Sequence, residues 1–105
     1  MKTSNVYAVI PAYNEEKSIA GIVQKTKEHV DKVVVVDDGS KDSTKESAEK
    51  AGAIVLRHIV NLGKGAALKT GCDFAVRHDA KFIVAFHADA QHRPEDIPRF
   101  TEKLE

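Results

Sequence analysis

Two adjacent carboxylates stand out among the residues of this sequence that could do chemistry. Asp-Asp-Gly-Ser at residues 37–40 could accept hydrogen bonds from a nucleobase imide or a ribose hydroxyl, or join a metal site. The alternative is that these residues shape a turn and cap a helix. Capping is the better interpretation for Asp38 and Ser40, and ligand contact is the better one for Asp37.

Two further segments suit an anionic ligand and its counter-ion. Asn-Leu-Gly-Lys-Gly at residues 61–65 offers backbone amides and one cation to a diphosphate, although a glycine turn with a solvated lysine is the simpler interpretation in isolation. His-Ala-Asp-Ala-Gln-His at residues 87–92 contains a hard oxygen ligand, Asp89, which could help to complete an octahedral Mg²⁺ or Mn²⁺ site. His87 and Gln91 could add nitrogen or oxygen donors.

A fourth segment, Pro-Ala-Tyr-Asn-Glu-Glu at residues 11–16, brings an aromatic ring together with two acids. Tyr13 could stack on a base, or it could be a partly buried tyrosine at a helix start. The four segments together indicate a base contact, an anion-accepting turn and a metal ligand, which is the outline of a nucleotide diphosphate. His29, His58 and His78 show no partners in the sequence.

Each of the four segments follows a predicted strand. Apolar, β-prone runs predict strands at residues 6–10, 32–36, 53–59 and 82–86. Capping signals predict that a helix follows each strand: from Glu15 with Asn14 as cap, from Ser43 to about Lys50 with Ser40 or Asp42 as cap, from residue 66 to about Val76, and from Pro94 through Leu104. This alternation implies a parallel sheet, whose ligands bind at the carboxyl ends of its strands.

Composition narrows the class of protein. A chain of 105 residues, of which 42% are hydrophobic, is expected to form a single domain over residues 1–105. The 16 basic and 16 acidic residues cancel, which argues against a nucleic-acid binder and a polybasic membrane anchor. No apolar stretch is long enough for a membrane span. The single cysteine, Cys72, excludes an intramolecular disulfide and favours a cytoplasmic location.

The four segments, in this order, resemble the motifs of family 2 glycosyltransferases. The resemblance is nearest to polyprenyl-phosphate sugar transferases of the dolichyl-phosphate mannose synthase type. The matching motifs occupy residues 9–16, 35–44, 61–65 and 88–97. The resemblance implies an α/β, Rossmann-like GT-A fold, with a parallel sheet of about four strands flanked by helices, that binds a nucleotide-diphospho-sugar.

The resemblance also implies roles for individual residues. The residues that would contact the nucleoside are Pro11, Tyr13, Glu15 and Asp37. Lys64 would lie near the nucleotide or its phosphates. Asp89 would hold Mg²⁺ or Mn²⁺, and Gln91 would be a second metal or diphosphate contact. His87 stands where the family's Asp-x-Asp motif has its first acid, which removes one negative charge and offers a softer nitrogen ligand.

The family's acceptor-binding half and its acidic general base follow the Asp-x-Asp segment, and nothing in this sequence matches them. The expectation is a donor domain for inverting sugar transfer, to a polyprenyl phosphate in the complete enzyme, with weak or no turnover alone. The alternative is a non-catalytic nucleotide-binding or regulatory module that needs a partner chain. Apolar surface left uncovered where a second half would pack predicts a homo-oligomer.

Overall fold

The structure, a computed structural model, describes residues 5–85 and 102–103. Four consecutive valines, residues 33–36, form the centre of strand β2 (Lys32–Asp38). β-Branched side chains suit a pleated strand that is covered on both faces. All four valines are buried, so β2 lies inside a sheet with a layer on each side.

The sheet is parallel over four strands, as the sequence predicts. β2 pairs with β1 (Val6–Ala12) on one side and with β3 (Ile54–His58) on the other, and β1 pairs with β4 (Phe82–Ala85). The strand order is therefore β3-β2-β1-β4, with a short fifth strand after β4. The order reverses between β1 and β4, and the carboxyl ends of strands next to such a reversal are where open α/β sheets bind ligands.

In the part of the chain that the structure describes, three helices cover the two faces of this sheet. Alternate residues of β1 and β2 point to opposite faces, which divides the core into two clusters. The first cluster includes α1 (Ile19–Thr26) and α2 (Thr44–Lys50), and the second includes α3 (Lys64–Arg77). Among the described residues, no helix is both long and apolar enough to cross a bilayer.

One glycine allows the third helix to pack directly on the sheet. Gly71 is buried in the middle of α3, directly over β1 and β2. A Cβ atom at this position would collide with the side chain of Val9 and would lie 3.1 Å from Cγ2 of Val36. Glycine therefore sets the distance at which α3 packs, and α3 carries Lys64 at its first residue.

Two predicted helix bounds are wrong. The first helix begins at Ile19 and not at Glu15, because Asn14 adopts a left-handed φ of 54° and caps no helix. The predicted helix through Leu104 is contradicted at Glu102–Lys103, which form strand β5, antiparallel to β4. A proline indicates where a helix can begin but not where it ends. A strand of only two residues that pairs with the edge of a sheet is too short to show an alternating pattern in the sequence.

Candidate functional site

Three connecting loops follow the carboxyl ends of the first three strands. The first loop covers residues 13–18, the second loop covers residues 39–43 and the third loop covers residues 59–63. Parallel strands in register bring all three to the same edge of the sheet, which we call the carboxyl edge. Pro11, Tyr13, Glu15, Asp37 and Lys64 all belong to this edge or to the helix start beside it.

The first and second loops are joined by side chains that replace ordinary helix caps. Asn14 donates its backbone N–H to Oγ of Ser40 at 2.8 Å and accepts the N–H of Lys41 on its own Oδ1 at 2.9 Å. The N–H of Glu15 is donated to Oγ1 of Thr44 at 2.8 Å. Ser40 of the second loop and Thr44 at the start of α2 thus satisfy the N–H groups of Asn14 and Glu15 and hold the first loop against the second.

The predicted caps of the second helix need a correction. Ser43 occupies the N-cap position of α2, and Ser40 instead accepts the N–H of Asn14. Asp42 does bind the helix start, since its Oδ1 accepts the N–H of Thr44 at 3.0 Å. Burial of the Asp42 carboxyl by itself would raise its pKa, but hydrogen bonds from the Thr44 hydroxyl and N–H and from the Glu16 N–H outweigh burial and lower the pKa.

Asp38 serves the third loop and does not cap α2, contrary to the prediction. Its Oδ1 accepts the N–H of Leu62 at 2.9 Å and its Oδ2 accepts the N–H of Gly63 at 2.8 Å, while Nδ1 of His58 lies 2.7 Å from Oδ1. Burial opposes the charge and would raise the pKa of Asp38, but the hydrogen bonds from Leu62, His58 and Gly63 outweigh it. The pKa is therefore lowered below the ordinary value of 3.8.

Asp37 lies on the opposite face of β2 from Asp38 and is only 1% exposed. Its Oδ1 accepts the N–H of Ser40 at 2.9 Å, and its Oδ2 lies 3.9 Å from Nε of Arg57 on the neighbouring strand. The Arg57 side chain is half exposed, so this ion pair is well screened by solvent. The side chain of Asp37 thus shapes the second loop from beneath.

The second and third loops touch through their backbones. Gly39 has a φ of 81°, and a Cβ atom at this position would lie 2.5 Å from the backbone nitrogen of Asn61. Only glycine allows both this conformation and this approach. Lys64 follows the third loop with an exposed side chain, and Tyr13, in the first loop, is 43% exposed. An aromatic ring and a cation are therefore open to solvent beside a buried, hydrogen-bonded platform.

The predicted metal-binding segment cannot be compared with this platform. Asp89, Gln91 and His87 lie outside the described residues. Within residues 5–85 and 102–103, no group of three or more His, Cys, Asp or Glu side chains could hold a metal ion. Asp38 already accepts three hydrogen bonds, so the described carboxylates of this edge serve the loops.

Sequence reasoning missed His58, Thr44 and Thr70. His58 and Asp38 are register partners on neighbouring strands, and Nε2 of His58 lies 2.8 Å from Oγ1 of Thr70 on α3. The missed signal is that Asp37-Asp38 and Arg57-His58 end neighbouring parallel strands, which places a carboxylate opposite a nitrogen-bearing side chain on each face. Thr44 and Thr70 carry no such signal, because their partners are brought close only by the tertiary fold.

Comparisons with known proteins agree with this architecture. Residues 7–105 match the model of the family described as glycosyl transferase family 2. An uncharacterized protein of Methanocaldococcus jannaschii is 47% identical over 100 residues, which cover 94% of this chain and 41% of the relative. UDP-N-acetylglucosamine–dolichyl-phosphate N-acetylglucosaminyltransferase of Methanococcus voltae is 37% identical over 117 residues, covering 94% of this chain and 47% of the relative.

A solved structure shows the same similarity in three dimensions. Glucosyl-3-phosphoglycerate synthase from Mycobacterium tuberculosis, in complex with Mn²⁺, UDP-glucose and phosphoglyceric acid, superposes with a TM-score of 0.72 at 27% identity. The match covers 90% of this chain and 36% of that structure. The chain therefore spans less than half the length of each protein compared with it here.

Proposed function

Since the chain belongs to glycosyl transferase family 2, we propose that its carboxyl edge binds the nucleotide-diphospho-sugar donor of a sugar transfer. The observation that carries this proposal is that hydrogen bonds join the three loops at this edge. Asn14 of the first loop binds Ser40 of the second, and Asp38 binds the third loop, beside the reversal of strand order at β1. The similar mycobacterial structure holds UDP-glucose and Mn²⁺, which supports the same class of ligand for this chain.

The proposed residue roles follow from exposure and position. Tyr13 offers an exposed ring to the base, and Pro11 and Glu15 flank it at the end of β1. Lys64, exposed at the first residue of α3, supplies positive charge for the diphosphate. Direct contact of Asp37 with the nucleoside stays a prediction, because in this structure its carboxylate is buried and holds the N–H of Ser40.

A divalent cation completes the proposed site. Asp89 would hold Mg²⁺ or Mn²⁺, with Gln91 and His87 as further ligands, because oxygen donors suit these ions. The described carboxylates support this assignment indirectly, since Asp38 is committed to loop N–H groups. When bound, the cation would neutralise charge on the diphosphate leaving group.

The complete reaction would be an inverting transfer to a polyprenyl phosphate. Relatives named as dolichyl-phosphate and undecaprenyl-phosphate transferases support this class of acceptor. Residues 1–105 would supply the donor half of this reaction. The names of these relatives favour a transferase over a non-catalytic module that needs a partner chain. A cytoplasmic location stays a prediction.

Calorimetric titration tests the donor site. UDP and GDP are titrated into the chain with and without Mn²⁺, and again into Asp89→Ala and into a control, Asp79→Asn, whose exposed carboxylate lies at the far edge of the sheet. We expect nucleotide binding that strengthens with Mn²⁺ and loses that dependence only in Asp89→Ala. Binding that ignores Mn²⁺ would overturn the metal assignment, and failure of both nucleotides to bind would overturn the donor site.

Self-association is a second part of the proposal. Three apolar side chains of the third loop are well exposed: Ile59 at 92%, Val60 at 59% and Leu62 at 59%. Neighbouring exposed apolar groups favour association with a partner surface. Sedimentation across a range of protein concentrations should show a dimer or larger species, and a monomer at every concentration would contradict this.

A further inference from the structure

A chain of hydrogen bonds runs from Asp38 through His58 to Thr70. Nδ1 of His58 lies 2.7 Å from Oδ1 of Asp38, and Nε2 of His58 lies 2.8 Å from Oγ1 of Thr70. The His58 side chain is 11% exposed and that of Asp38 is 5% exposed. The three residues belong to β3, β2 and α3, so the chain joins three separate elements of the fold.

The chemistry of Asp38 fixes one hydrogen position on the ring. Asp38 is ionised because its pKa is lowered, so its carboxylate can only accept, and Nδ1 of His58 must carry the hydrogen. Nε2 can pair with the Thr70 hydroxyl in either direction, because a hydroxyl both donates and accepts. Thr70 thus holds the ring in the orientation in which Nδ1 donates to Asp38.

The oriented carboxylate acts on the third loop. Its remaining acceptor positions hold the N–H groups of Leu62 and Gly63, the two residues immediately before Lys64. Oδ1 accepts hydrogen bonds from His58 and Leu62, and Oδ2 accepts one from Gly63. Rotation of the carboxylate would release both loop N–H groups together, and with them the start of α3.

We propose that His58 is a positioning residue for the nucleotide-diphosphate site, which fixes the Asp38 carboxylate and thereby the third loop and Lys64. This inference rests on the proposed donor site. His58 itself is not a catalytic residue, because its ring nitrogens face Asp38 and Thr70. A residue that only filled space at this position could be apolar. Burying two ring nitrogens is unfavourable unless both are hydrogen-bonded, and both nitrogens of His58 are.

Amide hydrogen exchange without nucleotide tests the positioning step by itself. In His58→Phe the N–H groups of Leu62 and Gly63 should exchange about tenfold faster, while those of Asp31 and Lys81 at the far edge should be unchanged. His58→Asn, whose side-chain amide can still donate to Asp38, should restore most of the protection. Unchanged exchange at Leu62 and Gly63 in His58→Phe would overturn the inference, whether or not the chain binds nucleotides.

Nucleotide affinity tests the consequence for the site. With Mn²⁺ present, the dissociation constant of UDP or GDP should rise roughly tenfold in His58→Phe, as expected for loss of a hydrogen bond to a charged group. His29→Phe, the same change at an exposed histidine, is the matched control. A rise that is equal in His58→Phe and His58→Asn would contradict positioning through Asp38. Absence of binding in the unmodified chain would overturn the donor site and leave the exchange result to decide the inference.

Thr70 provides an independent pair of variants. Thr70→Val removes the hydroxyl at similar shape, and Thr70→Ser retains it. The Nδ1-bound proton of His58 should remain visible by NMR in the serine variant and exchange with solvent faster in the valine variant. Lack of a proton on Nδ1 in the unmodified chain would contradict the donation to Asp38, and equal exchange in the two variants would overturn the role of Thr70.

Discussion

The two edges of the sheet are held together by different chemistry. At the carboxyl edge, side-chain oxygens of Asp38, Ser40 and Thr44 accept backbone N–H groups from neighbouring loops. At the opposite, amino edge, backbone groups mostly pair with each other, as in the N–H of Asp31 with the carbonyl of Val6 and the N–H of Lys81 with the carbonyl of Asn5. At the carboxyl edge, buried polar side chains therefore hold the loops in place.

Buried polar groups are concentrated at the carboxyl edge of the described part of the chain. Two open depressions lie at the amino edge, one beside Lys81 and the other beside Lys32. The buried polar residues among those described, apart from Thr26, all lie at the carboxyl edge: Asp37, Asp38, Ser40 and Thr44. Burying polar groups costs free energy unless they are hydrogen-bonded, so their concentration at one edge shows that this edge is built to hold its loops in place.

The largest difference between the edges should come from two glycines with positive φ. In Gly39→Ala the new methyl would meet the backbone of Val60 and Asn61, whereas in Gly52→Ala it would meet only the end of the Lys27 side chain, which can move. We expect Gly39→Ala to lower the free energy of unfolding by about 3–5 kcal/mol and Gly52→Ala by about 1–2 kcal/mol. Urea denaturation measures both, and equal losses would contradict the close approach of the second and third loops.

The next largest difference should be in the stability lost when Asp38 or Asp31 is replaced by asparagine. Asp38→Asn places an amide among groups that all donate, and should lower the free energy of unfolding by roughly 2–3 kcal/mol. Asp31 at the amino edge accepts the N–H of Val6 at 2.8 Å, a bond that an amide oxygen can still accept. Asp31→Asn should therefore cost less than about 1 kcal/mol. A larger loss in Asp31→Asn than in Asp38→Asn would reverse the comparison.

The lowered pKa values of Asp38 and Asp42 predict the response to acid. A carboxyl whose pKa is lower in the folded state stabilises the fold above its unfolded value of 3.8, and this stabilisation is lost as pH falls from there through the folded value. Stability should thus be steady near neutrality and drop below about pH 4. Asp38→Asn should flatten this drop, as thermal unfolding across pH will show.

The smallest contrast concerns two buried threonines. Thr44 accepts the N–H of Glu15 across the first and second loops, whereas the Thr26 hydroxyl donates to the carbonyl of Ile22 within α1. Thr44→Val should cost about 1–2 kcal/mol, because it leaves an N–H without its acceptor. Thr26→Val should cost less than about 1 kcal/mol, because only a carbonyl loses a donor. Thermal unfolding separates the two, and equal losses would argue that Thr44 does not join the loops.

The sequence was most informative where its pattern was local. The valine run of β2, and the order of strands and helices through Arg77, predict the parallel sheet that the structure contains. The pairing of Asp38 with the third loop could not be predicted, because it depends on which face of β2 each carboxylate takes and on how closely α3 approaches. The early start assigned to α1 is wrong because Asn14 adopts a left-handed φ and contacts Ser40 and Lys41, which the local sequence does not reveal.

The donor site at the carboxyl edge is tested most directly by an NMR titration of the ¹⁵N-labelled chain with UDP and GDP in the presence of Mg²⁺. The amide resonances of Tyr13, Ser40 and Gly63 should shift, while those of Asn5, Asp31 and Lys81 at the amino edge should stay in place. Shifts confined to the amino edge, or no shifts with either nucleotide, would contradict the assignment.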